Sequence, residues 1–358
     1  MFSFKGRCSL KENQKIAVVL FNLGGPDQLD AVKPFLFNLF YDPAILSLPN
    51  PFRWFLAKLI SHQREPIAKK IYQQIGGSSP ILKNTIAQAK HLEKTLNEKA
   101  PDNFKVFSCM RYWNPRGEDV VALVKKFQPA KILLIPLYPQ FSTTTTLSSI
   151  SDWIDCTEKQ NLAIPTKALC CYPDDPDLIL AMAQLIKKGL KKAKEGEIKL
   201  LLSAHGLPEK IIRSGDPYQE QVEKTAKKLI NVLGKYRDIP KFDHAVCYQS
   251  KVGPLKWIGP STEDEIMLAG KRNLSLVIFP IAFVSEHSET LVELDIEYQE
   301  LAKKSGVKKY IRVPTVSTSK RFISCLAMNA LTTLKSKNFY CKKASLCSNE
   351  RTKCPLVS

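Results

Sequence analysis

Two stretches carry side chains that could do proton or metal chemistry. "IKLLLSAHGLPEK", residues 198–210, runs apolar from Ile198 to Leu202 but for Lys199 and then places Ser203, His205, Gly206 and Pro208 in quick succession. Such a run has no polar face and reads as a short buried strand, which Gly206 and Pro208 end. Ligands of open α/β sheets bind at the carboxyl ends of the strands, so an imidazole there can reach a substrate. The plainer alternative is a histidine capping a turn. An imidazole with an ordinary pKa near about 6.5 can accept a proton at neutral pH or ligate a metal.

The second stretch is "LVIFPIAFVSEHSETLVELDIEYQELAKK". As an α-helix starting near Ser285, it sets His287 on one stripe with Leu291, Leu294, Tyr298 and Leu301, and gathers Glu286, Glu289, Glu293, Glu297 and Glu300 on the other side. Like charges four residues apart repel by about 0.2–0.5 kcal/mol per pair, a cost that a cation would remove. The helix dipole favours Glu286 and Glu289 in the first turn. The ridge is either a solvated face or a carboxylate track leading a divalent metal to a buried site.

Four pieces of the first half are weak singly: "VVLFNLGGPD", "IGGSSPI", "CMRYWNP" and "PLYPQFSTTTTLSS". Neither Gly-Gly turn matches the phosphate-loop or dinucleotide patterns. Arg111, with hydroxyls beside it, can hold a substrate carboxylate through charge-assisted bonds.

The elements that must position these groups alternate. Strand-like runs fall at 15–23, 104–110, 130–138, 168–173, 198–204, 244–249, 273–281 and 310–315, and helical patterns at 84–99, 117–127, 176–195, 217–234 and 319–335. The alternation predicts two doubly wound, Rossmann-like α/β domains of four parallel strands each, residues 15–165 and 166–318, with a cleft between them as the site. The helix 319–335 is expected to pack back on the first domain, leaving a Cys-containing tail at 336–358. At 358 residues the chain exceeds one ordinary core. Phe52, Phe55, Leu56 and Leu59 recur at helical spacing among Arg53, Lys58 and Arg64, which suits a core helix or a segment lying in a bilayer interface.

The 53 Lys and Arg against 34 Asp and Glu give a net charge of +19, favouring acidic partners: anionic lipid, nucleic acid or a carboxylate-bearing substrate. No dense basic tract with interleaved aromatics occurs, which disfavours nucleic acid. No apolar run approaches the roughly 18 residues of a spanning helix, and the start lacks a secretory core, so the expected location is cytoplasmic, peripheral on the inner membrane face. Ten scattered cysteines suit a reducing compartment. Cys341, Cys347 and Cys354, with five and six intervening residues, match no common zinc pattern.

Taken in order, "FNLGGP", "IGGSSPI", "RYWNP", "YPQFSTTTT", "SAHGLP", "GDPY", "YQSKVGP", "WIGPST" and "FVSEHSETLVELDIEY" resemble the ferrochelatase family over residues 15–320. The resemblance implies a lyase that inserts ferrous iron into protoporphyrin IX to form protohaem, the terminal step of haem biosynthesis. It implies His205 as the active-site histidine, Glu289 as its carboxylate partner across the porphyrin pocket, and His287 beside them. Whether His205 accepts a proton or ligates the metal is left open. By the same resemblance Glu293 and Glu297 continue from Glu289 as a track for metal access or proton exit, so that His205, Glu289, Glu293 and Glu297 form the expected metal set. Ser79, Arg111 and Tyr112 match positions contacting the porphyrin or its propionates, and Trp257 lies in a pocket motif.

Two departures stand out. Leu23 occupies a position where the family often has Met or Tyr, and offers no heteroatom. In "SHQREP" only Arg64 is basic where the family often shows two adjacent basic residues. Some members carry a [2Fe-2S] cluster on C-terminal cysteines; Cys341, Cys347 and Cys354 would supply three ligands and Cys170 or Cys171 the fourth, though the spacing is not the tighter one of animal enzymes. The alternatives are a non-catalytic tetrapyrrole or metal carrier on the same fold, or a chelatase for coproporphyrin or another metal. A carrier needs the cleft but no paired His and Glu.

Overall fold

The computed structural model describes residues 14–193, 196–340, 347–348 and 350–356. The first half runs β1 (Lys15–Asn22), α1 (Val32–Tyr41), α2 (Phe52–Gln73), α3 (Ile81–Lys99), β2 (Asn103–Met110), α4 (Gly117–Phe127), β3 (Lys131–Pro136), α5 (Ser148–Lys159) and β4 (Thr166–Ala168). The second runs α6 (Pro176–Lys192), β5 (Ile198–His205), α7 (Glu209–Arg213), α8 (Tyr218–Leu233), β6 (Asp243–Gln249), α9 (Thr262–Lys271), β7 (Ser275–Pro280), a π-helix (Glu289–Glu297), α10 (Tyr298–Ser305), β8 (Lys309–Arg312) and α11 (Lys320–Lys335).

Both sheets are parallel and four-stranded, ordered β2-β1-β3-β4 and β6-β5-β7-β8. β1 is buried from Ile16 to Asn22 because helices cover both faces, which is why it reads as an unbroken apolar run. In each sheet the order reverses beside the first strand, so the carboxyl ends of β1 and β5 open onto the crevice where such folds bind ligands. α11 lies against α3, α6, β3 and β4. One core is continuous through Leu92 and Phe104 of the first half, Leu190 and Leu200 of the second, and Phe322 and Leu326 of α11.

Two expectations need correction. The fourth strand is Thr166–Ala168, not 168–173, and it pairs with β3, so the first sheet extends past residue 165. Ile132 donates to the Pro165 carbonyl, and donors in a parallel ladder recur every second residue. The third would be Pro136, which has no N–H, so the ladder stops and Cys170–Cys171 turn away. The acidic segment also departs from a plain α-helix. Residues 285–287 precede the helix, Glu289–Glu297 is π-helical, and only Tyr298–Ser305 is α-helical. With more than four residues per turn, Glu289, Glu293 and Glu297 stay nearly in line, whereas Glu286 is held elsewhere and His287 shares no stripe with Leu291 and Leu294.

Candidate active site

His205 ends β5 and pairs in register with Gln249 at the end of β6. Its Nδ1 lies 2.8 Å from Glu289 Oε2, and 37% of its side chain remains exposed. Trp257 stands edge-on to the imidazole at 6.4 Å, and its buried indole N–H has no acceptor among the described residues. Gly206 admits this approach, since a Cβ there would sit 3.1 Å from the Trp257 ring. Burial works against the imidazolium, but the Glu289 carboxylate prevails and holds the His205 pKa above its usual value. Burial likewise works against the Glu289 anion, yet His205, chiefly, brings it down to about 2. Each partner thus favours the charged form of the other.

Glu293 follows one turn on. Ser250 N and Tyr298 Oη donate to its Oε1 at 2.8 and 2.9 Å, and Gln249 Nε2 and Ser250 Oγ to its Oε2 at 3.0 and 2.5 Å. A carboxylate has about four lone-pair sites, so Glu293 is saturated and, as placed, has none for a metal. Ser250 Oγ also lies 3.2 Å from Glu289 Oε2, bridging the two carboxylates. Burial, reinforced by the charge on Glu289, raises the Glu293 pKa. Glu297 is exposed at the end of the π-helix, its pKa raised by partial burial and by Glu263 and Glu300.

Arg312, which the sequence reading missed, braces the π-helix from β8. Its Nε bonds Asp295 Oδ1 at 2.6 Å, one terminal nitrogen bonds Asp295 Oδ2 at 2.5 Å, and the other bonds Glu286 Oε1 at 2.7 Å. That contact takes Glu286 out of the expected ridge. His287 is buried with its ring against Phe283 at 4.7 Å, and burial lowers its pKa. Its backbone closes the helix start, N–H to Thr290 Oγ1 and carbonyl to Leu291 N. Among the described residues no three His, Cys, Asp or Glu side chains are arranged to hold a metal ion.

The first half brings the opposite wall. Asn84 and Gln88 of α3 donate to the carbonyls of Glu286 and Val284, fixing the approach to Glu289. Tyr72 of α2 hydrogen-bonds Ser288, and burial lifts its pKa to about 12. Leu23 packs under α1 and α2, and half-buried Ser79 follows a turn in which its N–H bonds the Pro26 carbonyl at 2.7 Å. Arg64 is half-buried on α2. Arg111 and Tyr112, expected to contact substrate, are held by polar groups of the chain itself. Arg111 is spent on Ser148, Asp152 and Asp42, and Tyr112, 1% exposed, donates to Asp42 at 2.8 Å. Together they anchor the loop leading into α2. Phe52, Phe55 and Leu59 stand out from that helix, 67%, 61% and 53% exposed, so this face is not core.

The match to the ferrochelatase family model spans residues 15–333. The chain belongs to the ferrochelatase family. It is 53% identical to the ferrochelatase of Pelagibacter ubique (strain HTCC1062) over 350 residues, covering 96% of this chain and 99% of the relative. It is 50% identical to the ferrochelatase of Rickettsia bellii (strain OSU 85-389), covering 90% and 88%. Among solved structures it resembles SirB from Bacillus subtilis with Fe3+, at a TM-score of 0.51 and 10% identity, covering 91% of this chain and 99% of that one; this likeness concerns the fold.

A second feature of this ferrochelatase-family chain is a cluster of thiols. Cys347 and Cys354 of the tail fold back onto Cys170 and Cys171, with Phe141 and Leu356 around them. Cys170 hydrogen-bonds Cys171 and Cys354, and these bonds with burial raise its pKa. Cys341, the third expected ligand, lies outside the described residues.

Proposed function

We propose that the chain inserts ferrous iron into protoporphyrin, the last step of haem formation, with His205 and Glu289 as the reacting pair. The observation that carries this reading is their 2.8 Å contact at the carboxyl end of β5. Insertion exchanges two pyrrole N–H protons for one Fe2+, so the site must accept protons as the metal binds. With Nδ1–H donated to Glu289, the His205 Nε2 is left as the basic nitrogen, and the imidazolium it becomes is stabilised by the carboxylate. The porphyrin supplies four nitrogens, so a two-donor pair that passes iron on suits the reaction better than a closed protein site. Burial and the Glu289 charge make Glu293 easier to protonate than an ordinary glutamate, which favours the proton-exit reading of the track: Glu289, Ser250 and Glu293 form one hydrogen-bonded line, with Glu297 beyond it at the surface. Incubation with protoporphyrin and Fe2+ under anaerobic conditions should give the haem spectrum. Porphyrin binding without insertion would leave the carrier reading standing.

The tail cysteines fit a [2Fe-2S] cluster in kind and number. Cys170, Cys171, Cys347 and Cys354, gathered in one buried cluster, would hold it. When bound, such a cluster supplies a one-electron redox centre and a cross-link between tail and body. Anaerobically purified protein should be coloured and contain iron and sulfide, and Cys347→Ser should lose both. Colourless wild-type protein from iron-replete cells refutes the cluster. The apolar face of α2, beside Arg53 and Lys58, supports peripheral docking on an anionic membrane; no helix among the described residues is long and apolar enough to span one.

A further inference from the structure

The "GDPY" turn, Gly215–Tyr218, takes no part in the chemistry above, yet it joins the tail to the reacting histidine. Tyr218 is buried, and its hydroxyl donates to the His205 carbonyl at 3.0 Å, at the last position of β5. Asp216 is fully buried. One of its oxygens accepts from Ser142 Oγ at 3.0 Å and from Thr143 N and Oγ1 at 2.7 Å each, and the other accepts from Tyr218 N at 2.9 Å. The carboxylate thus pins the first turn of α8 to the hydroxyl run of the other half.

The tail docks on the same turn. Gly215 adopts φ +98°, and its carbonyl accepts Lys353 N at 3.2 Å. A Cβ there would overlap Thr352 Oγ1, so only glycine lets the tail approach. One turn on, Glu220 takes Ser348 N and Oγ at 2.8 Å each and Arg351 Nε at 2.9 Å. Gln221 donates to Cys347 Sγ at 3.1 Å while its Oε1 accepts Phe141 N at 2.8 Å. Through Cys347, Ser348, Arg351 and Lys353 the tail is fastened to residues 215–221, and that segment in turn fastens His205.

We propose that Tyr218 is a positioning residue for His205, and that the docked tail sets it through the Gly215–Gln221 segment. The consequence for catalysis rests on His205 being the reacting base. The His205–Glu289 contact is a single hydrogen bond between two separate elements, and a backbone shift of about 1 Å at a reacting group can cost about 100-fold in rate. A hydroxyl holding the carbonyl of the same residue removes that freedom. Arg351 touches neither cleft nor His205, so any effect it has on turnover must travel through α8.

The test uses the full chain with Tyr218→Phe, which deletes one oxygen and keeps the ring, with Arg351→Met, and with both. Tyr218→Phe should lower kcat for metal insertion about tenfold with porphyrin and metal KM unchanged. Arg351→Met should lower kcat in the same direction by less, and the double variant should be no slower than Tyr218→Phe, because both cut one line. Hydrogen exchange of the 203–208 segment should quicken in each variant, a readout independent of turnover that separates failure of this proposal from failure of the iron-insertion reading. Unchanged exchange in Arg351→Met, multiplicative rate losses in the double variant, or a loss carried by KM alone would overturn it.

Discussion

His205 and Glu289 shift each other's pKa in opposite directions, and this gives the pair a pH signature. His205 is raised from 6.5, so its contribution to stability is complete below that value and fades as pH rises through the folded pKa. Glu289 is depressed from 4.5 to about 2, so its contribution is complete above 4.5 and is lost as pH falls through about 2. The ion pair is whole between those limits. Catalysis needs the opposite state, an unprotonated His205, so the acidic limb of kcat/KM should lie above the ordinary histidine value. In Glu289→Gln the main raising charge is gone and only the more distant Glu293 still opposes burial, which lowers the His205 pKa. The limb should then move to lower pH while kcat falls. His205→Ala should abolish most insertion and spare porphyrin binding. Zn2+ insertion followed across pH checks both; an unmoved limb in Glu289→Gln would detach the carboxylate from the base.

At the scale of elements, the π-helix keeps Glu289, Glu293 and Glu297 nearly on one line, as an α-helix would, while Asp295 faces the other way onto Arg312. Sequence periodicity found the carboxylates but assumed an ordinary helical turn, and so put Glu286 on their face. What diverts Glu286 is an arginine 26 residues away in β8, a partner no local pattern reveals. The partners of Arg111 were illegible for the related reason that a free and a paired guanidinium look alike until Asp42 and Asp152 are placed. The strand end holding His205 was legible, because a buried parallel strand announces itself as a largely apolar run. Arg312→Leu breaks three charge-assisted bonds at once, and since its partners keep some exposure the cost should sit at the low end of the about 3–5 kcal/mol for a broken buried pair. Insertion should slow about tenfold or more with porphyrin KM nearly unchanged, and Arg312→Lys should not rescue it, because one ammonium cannot span the fork. Full turnover in Arg312→Leu would show that the π-helix keeps its register without the brace.

The two sheets, their shared core and α11 make a rigid frame, and the surface that departs from ordinary soluble design is α2. Phe52, Phe55 and Leu59 are more than half exposed, with Trp54 stacked edge-on against Phe55 at 4.9 Å and Lys58 over the Trp54 ring at 4.8 Å. Such a cluster would favour burial, and within this chain nothing covers it among the described residues. Cations beside apolar side chains suit the boundary between acyl chains and anionic headgroups, and the net charge of +19 adds attraction at longer range. The same helix carries Tyr72 to Ser288, next to Glu289, so a membrane-docked α2 would present the cleft to a substrate that itself partitions into lipid. The chain should therefore cosediment with vesicles containing anionic phospholipid and release at high salt. Replacing Phe52, Phe55 and Leu59 together by Ser should weaken that binding at least about tenfold, since each buried apolar side chain contributes about 1.5–3 kcal/mol, while turnover on detergent-dispersed porphyrin stays near wild type because none of the three touches the His205–Glu289 pair. Equal cosedimentation of the triple variant would assign vesicle binding to charge alone and remove α2 from the membrane contact.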